Sequence, residues 1–165
     1  MEKSSSMKTL TRILHGFIIV ATLVGAVVFL FLTPWVGQEL AEENPEFAWA
    51  YFPCLIWAWF FALPLFIAVW PCWKLAGSLS TSEGPFTRKN VRFLHLVACL
   101  AFADALIYLT GLLILGFMGA SQPGLTYIIS PIVIFLCLAF GVVMIALSRV
   151  LNESVALREE NDMTI

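Results

Sequence analysis

The sequence predicts an all-α integral membrane protein with four transmembrane helices in an antiparallel bundle and both termini cytoplasmic. Three observations predict it. The 165 residues are 61% hydrophobic and only 12% charged, whereas a soluble domain usually carries about 25% charged residues. Too little polar surface exists to coat a water-soluble globule, so the apolar excess must face lipid. Four apolar stretches are each long enough to cross a bilayer. Every lysine and arginine falls near one predicted face.

A spanning helix needs about 20 mostly apolar residues, and four stretches qualify: 13–32, 48–75, 93–119 and 127–147. Lipid excludes open sheet edges, whose unpaired backbone groups would find no water, so these stretches are read as helices. The predicted organisation is a tail at 1–12, one membrane domain at 13–147 and a C-terminal helix or tail at 148–165. The first span is read as a retained anchor. Its apolar run exceeds a ~7–15-residue signal core, and Thr33-Pro34-Trp35 follows it in place of a small-residue cleavage site.

Orientation follows from the basic residues. Lys3, Lys8 and Arg12 precede the first span. Lys74, Arg88, Lys89 and Arg92 flank the middle loop, and Arg149 and Arg158 follow the fourth span. The loops at about 33–47 and 120–126 contain none. The positive-inside rule places both tails and the middle loop in the cytoplasm. Trp35, Trp49, Tyr51 and Tyr127 gather at the predicted outer boundary and Trp70 and Trp73 at the inner one, the depth amphipathic rings prefer. Trp57 and Trp59 lie deeper and read as packing or lipid-facing residues.

Within the spans, Pro64 is central to the second helix, removes a backbone donor and is the candidate hinge. Small residues at helical spacing, Ala21 with Gly25 and Ala101 with Ala105 and Gly111, mark expected helix contacts. Arg12-Ile13-Leu14-His15 is echoed by Arg92-Phe93-Leu94-His95, and the two histidines either share a site near the inner surface or act separately at the interface. Asp104 is the costly residue. It lies 12 residues past Arg92, roughly 18 Å into a ~30 Å core. A carboxylate there costs at least ~2.5–3.5 kcal/mol, and no basic side chain reaches that depth. Asp104 is therefore expected either neutral and hydrogen-bonded, with Tyr108 on the same face as a partner, or lining a wet cavity. Its role is a packing staple, an ion, proton or ligand site, or a contact with a second membrane protein.

The soluble segments are short. Glu39, Glu42, Glu43 and Glu46 make the first outer loop acidic, Asn44-Pro45 reads as a turn, and Thr87 to Asn90 carries a cap for the third helix. The tail continues the fourth helix, with Leu151 and Val155 on one face and Glu153, Glu159, Glu160 and Asp162 outnumbering its two arginines. An anionic leaflet repels such a tail. The net charge of −2 leaves no basic excess for nucleic acid. Cys54, Cys72, Cys99 and Cys137 lie scattered in apolar stretches with no Cys-x-x-Cys pair, as small hydrophobes do. No phosphate-cradling loop, His-Glu-x-x-His or Gly-x-Ser-x-Gly is present, so no enzyme activity, cofactor or metal is expected.

Several elements at residues 30–165 carry a family resemblance. They are the Thr33-Pro34-Trp35 exit with its acidic loop, Tyr51-Phe52-Pro53 through Ala62-Leu63-Pro64, Pro85-Phe86-Thr87 with Asn90-Val91, and the closing Glu160-Asn161-Asp162-Met163-Thr164-Ile165. The chain resembles the YoaS-like family of small bacterial membrane proteins, a domain-of-unknown-function family. The resemblance implies four spans in the bacterial plasma membrane and no established activity. Family genes often lie beside a helix-turn-helix repressor gene, which implies a regulatory cytoplasmic partner. Glu159, Glu160, Asn161, Asp162, Met163, Thr164 and Ile165 are the candidate docking residues for it. The alternatives are a small transporter or peptide-resistance protein using Asp104 and Pro64, and a structural subunit of a membrane complex. A homo-oligomer is compatible with each.

Overall fold

The computed structural model describes residues 2–81, 84–119 and 125–163, and these residues are helical almost throughout. Helix α1 spans Glu2–Val27 and runs through a π-helical turn at Val28–Leu32 into α2, Thr33–Glu43. A 3-10 turn at Pro45–Ala50 leads to α3, Tyr51–Ser78. Then follow α4, Arg88–Phe117, a second π turn at Leu125–Ile129, and α5, Ser130–Met163. Four helical stretches are long and apolar enough to cross a membrane.

Packing follows chain order: α1 lies against α3, α3 against α4 and α4 against α5. The α1–α3 seam is antiparallel. His15 stacks on Trp73 with centroids 4.0 Å apart, Phe29 meets Phe61 and Phe66 at 6.4 Å, and Gly37 faces Tyr51. Gly25 lies beside Phe66, but Ala21, expected in the same contact, points away from the protein. The two residues are one turn apart, yet the stripe α1 buries runs through Leu14, Ile18, Thr22 and Gly25. The rest of α1 is bare: Phe17 is 72% and Phe31 71% exposed, as a face turned to acyl chains should be.

All the basic residues lie at one end, which we call the basic end, and Glu39, Glu42, Glu43 and Glu46 lie at the other, the acidic end. The expected outer loop at 33–47 is largely helix. Continuation past Pro34 has a physical cause. Proline cannot donate a hydrogen bond, and its ring would strike the preceding turn. The π turn widens the helix there, and the Thr33 N–H reaches back five residues to the Val28 carbonyl. The Thr33 hydroxyl donates to the same oxygen at 2.9 Å. The next bond in that register would run from residue 34 to the Phe29 carbonyl, and Pro34 has no N–H to make it. The Trp59 indole of α3 fills the vacancy, its Nε1–H donating to the Phe29 carbonyl at 3.1 Å.

The second π turn repeats the pattern, since Leu125–Ile129 is followed by Ser130-Pro131 as Val28–Leu32 is followed by Thr33-Pro34. Asn44 ends α2 with a non-helical backbone, its N–H and its side-chain amide both donating to the Leu40 carbonyl at 3.0 Å. Thr87 caps α4, its hydroxyl accepting from the Asn90 N–H at 3.3 Å. The Asn90 side chain then donates at 2.8 Å to Ser78 Oγ and to the Pro85 carbonyl, pinning the α3–α4 connection.

This account predicts a coupled pair of substitutions. Trp59→Phe removes the donor and leaves a carbonyl unpaired beside lipid, at a cost of about 1–2 kcal/mol. Pro34→Ala restores a backbone donor in the same turn, so the Trp59→Phe cost should shrink markedly in that background. Unfolding midpoints of the four proteins in mixed detergent micelles measure the coupling. Equal costs in both backgrounds would refute the link.

Candidate functional site

The site is assembled on α4, the most enclosed of the spanning helices. Its buried positions, Asn90, Val97, Ala98, Ala101, Asp104, Ala105, Tyr108, Gly111 and Leu115, form one helical stripe. Four of them, Ala98, Ala101, Ala105 and Gly111, are alanine or glycine, so α3 and α5 come close to the α4 backbone, as small residues permit in lipid. Asp104 sits mid-stripe and is only 2% exposed.

Indole and phenol rings from α3 and α4 floor the side toward the acidic end. The Trp57 indole turns its nitrogen edge to Gly111, where any β-carbon would collide with it. This approach lets Trp57 Nε1–H donate to the Ile107 carbonyl at 3.1 Å. Trp57 and Phe61 then pack on Tyr108, with centroids 5.2 Å and 5.5 Å apart. The Tyr108 hydroxyl, expected to meet the Asp104 carboxyl, instead lies 3.2 Å from Ser130 Oγ on α5. Tyr108 shares the face of Asp104 but is one turn closer to the acidic end, and its ring carries the hydroxyl further that way. Oδ1 of Asp104 is buried with no hydrogen-bond partner, and so is Oγ1 of Thr126. The Cys137 thiol of α5 is within electrostatic reach of the Asp104 carboxyl. Toward the basic end, Phe102 rests on Gly141, whose β-carbon would stand 2.9 Å from the ring.

Pro64, the candidate hinge, is buried in α3, which continues unbroken through it and through Pro71. The histidines do not share a site. His15 Nε2 donates to the Trp73 carbonyl at 3.2 Å, and His95 Nδ1 lies 3.5 Å from Cys99 Sγ. Among the described residues, no group of three or more His, Cys, Asp or Glu side chains could hold a metal ion.

The tail has a structure the sequence did not disclose. Helix α5 has 34 residues, about 51 Å at ~1.5 Å per residue against a ~30 Å core, so its last turns stand clear of the bilayer at the basic end. The Leu151 and Val155 face of the tail is taken up internally: Val155 is 4% exposed and Leu151 half-buried. Ser148 Oγ donates to the Val91 carbonyl at 3.1 Å. Arg88 grips Glu159 with a fork of two bonds, 2.6 Å and 3.1 Å, and its third contact is Asn152 Oδ1 at 3.4 Å. Glu160 and Asn161 remain exposed on the helix. Asp162 and Met163 extend its backbone, and Thr164 and Ile165 lie outside the described residues.

Trp57, Trp59, Gly141 and Ser130 carry contacts that sequence reasoning missed. For Trp59 the available signal was Pro34, whose missing N–H orphans a carbonyl and predicts that a donor must come from elsewhere. The Gly111 notch generates a further expectation. Gly111→Ala forces the Trp57 indole off its carbonyl and should destabilise the protein by about 1–3 kcal/mol, with altered Trp57 fluorescence in a variant carrying that tryptophan alone. Unchanged stability and emission would remove Trp57 from the α3–α4 seam.

With this geometry in view, the relatives fall into place. No solved structure matches the chain. A curated relative, the "Uncharacterized membrane protein YoaS" of Bacillus subtilis (strain 168), is 25% identical over 138 residues, covering 82% of this chain and 85% of that protein. The model of the DUF2975 family, described as a protein of unknown function, matches residues 35–165, a stretch holding every helix that builds the Asp104 site and the Arg88–Glu159 grip. The chain belongs to the DUF2975 family, that of the YoaS-like membrane proteins.

Proposed function

We propose that the protein is a non-enzymatic regulator or sensor of the bacterial plasma membrane, acting through a cytoplasmic partner at its basic end. One observation carries the reading. The end of α5 projects as an ordered helix held by Arg88, Asn152 and Glu159, beyond the length that crossing a ~30 Å bilayer core requires. With the Leu151–Val155 stripe engaged internally, the exposed surface of the projection carries two acids, Glu153 and Glu160, with Arg158 and the apolar Leu157. A soluble regulator with a basic surface, such as a helix-turn-helix repressor, complements it in charge.

A second reading, transport of a small solute or resistance to a peptide, is favoured by one observation, the buried and unpartnered Asp104 oxygen. It would use Pro64 as the hinge of a moving α3.

Both readings use an orientation in which the basic end is cytoplasmic. Reporter fusions at residue 40 should score as external, and fusions in the middle loop and at the C-terminus as internal. An external C-terminus would overturn the orientation. The regulatory reading is tested on the full-length protein. Deleting residues 158–165 should leave insertion and stability intact and abolish both co-purification of the regulator and the transcriptional effect. R88E should make the tail cleavable by protease in inside-out vesicles, and R88E/E159R should restore protection. Retention of partner and effect by the deletion, or no rescue by the swap, would count against the tail as the docking element.

A further inference from the structure

Between α4 and α5, the buried polar side chains nearest Asp104 lie toward the acidic end, and on the other side none comes before Ser148 and Asn90 at the basic end. Toward the acidic end come Tyr108, 8% exposed, with its hydroxyl 3.2 Å from Ser130 Oγ, then Ser130, 1% exposed, and then the buried, unpartnered Thr126 hydroxyl. Toward the basic end the same stripe offers Ala101, Ala98 and Val97, none more than 8% exposed, and Phe102 against Gly141 closes the α4–α5 seam. The carboxyl thus stands at the bottom of a one-sided polar file. Toward the acidic end Tyr108 and Ser130 are hydrogen-bonded to each other, while the Thr126 hydroxyl and Asp104 Oδ1 have no partner, so the polar groups there are spaced and not linked; toward the basic end Asp104 is flanked by apolar packing.

We propose that Asp104 is a proton-binding site reached only from the acidic end of the protein, the extracytoplasmic side in the orientation above. The step is simple addition: a proton arriving from the acidic end joins a carboxylate oxygen, and the buried group loses its charge. A metal cation fits poorly. Ca2+ and Mg2+ take about six or more oxygen ligands, and this file supplies one carboxylate and three hydroxyls, two of them already paired to each other. An unpaired charge in the bilayer interior is costly, and proton uptake removes it without any further ligand. The groups facing Asp104 are consistent with this. On α4 the titratable neighbour is Tyr108, and on α5 it is Cys137. The only charged residue of α3 is Lys74, at the basic end. The charges of α4 and α5, Arg88, Lys89, Arg92 and those from Arg149 onward, lie at that end too. No cation at the depth of Asp104 competes to neutralise it.

The inference stands apart from the regulatory reading, because proton uptake needs no cytoplasmic partner. The test uses the intact protein in proteoliposomes of fixed orientation, with the pH of each compartment set separately. Dicyclohexylcarbodiimide attacks protonated carboxyls in apolar surroundings, and peptide mapping by mass spectrometry locates the adduct. Modification at Asp104 should fall at least tenfold as the acidic-end compartment is made alkaline, and should not respond to the other compartment. Ser130→Ala, which removes the hydrogen-bond partner of the Tyr108 hydroxyl and leaves the Asp104 side chain itself in place, should slow that response. Mapping on the wild-type chain identifies the residue directly, so the result does not depend on D104N being stably inserted. No adduct at Asp104 at any pH, an adduct indifferent to both compartments, or one that follows the basic-end compartment would each overturn the proposal.

Discussion

In lipid, a backbone carbonyl without a donor has no water to turn to, and that constraint shapes this protein at its proline sites. Pro34 would break a helix in water, where the freed carbonyl could be solvated. Here the helix widens into a π turn, the Thr33 amide and hydroxyl both serve the Val28 carbonyl, and the remaining carbonyl, that of Phe29, is served by Trp59. The indole that closes the hydrogen-bond account of α1 thereby fixes α1 against α3. Two residues away, Trp57 does the same toward α4 through the Ile107 carbonyl. Positions two apart on a helix point to nearly opposite sides, so α3 reaches out in both directions with the same kind of bond and becomes the spacer between α1 and α4.

The α4 stripe follows from the second of these bonds. Trp57 reaches the Ile107 carbonyl across the position where Gly111 has no side chain to block it. Ala101 and Ala105 let α3 and α5 come equally close lower down. Close approach excludes lipid and leaves little room for water, which is why Asp104, at 2% exposure, is enclosed by protein on every side yet keeps an oxygen unpaired. The same closeness that ties the helices together makes the carboxyl the single unsettled polar group at spanning depth on α4.

How much of this was legible in the sequence depends on the range of the interaction. Four helices, their antiparallel order and the partition of charge follow from hydropathy and from lysine and arginine positions, which act residue by residue. Thr87 as a cap and the burial of the Ala101–Gly111 face follow from spacing within one helix. Contacts between helices were less legible. Tyr108 shares a face with Asp104, but the direction in which its side chain leans, and Ser130 waiting on α5, are set by the packing of two helices. The Leu151–Val155 stripe was readable as apolar, whereas the ties that hold this stretch of α5 to the start of α4, Ser148 to Val91 and Glu159 to Arg88, join residues some 60 to 70 positions apart. The continuation of helix through Pro34 was hidden because proline reads locally as a breaker, and the bond that compensates it comes from Trp59.

These constraints also say where a signal would travel. Helices α4 and α5 are joined at four levels: Tyr108 with Ser130, Phe102 with Gly141, Ser148 with Val91, and Arg88 with Glu159. The first two levels bracket Asp104, and the last two hold the projecting end of α5. Coupling between distant sites needs an element with two discrete arrangements that both sites bias. In this seam the upper ties are buried and uncharged, and the last is an exposed ion pair between side chains 56% and 50% accessible. An exposed pair is worth little on its own and is weakened by salt, so the lowest tie is the one that yields first if the seam shifts. A change of charge at Asp104 would act on the ties that bracket it, and the same two rigid helices would carry the displacement to the tie most easily broken. The Arg88–Glu159 pair is therefore the tie of this seam that costs least to break.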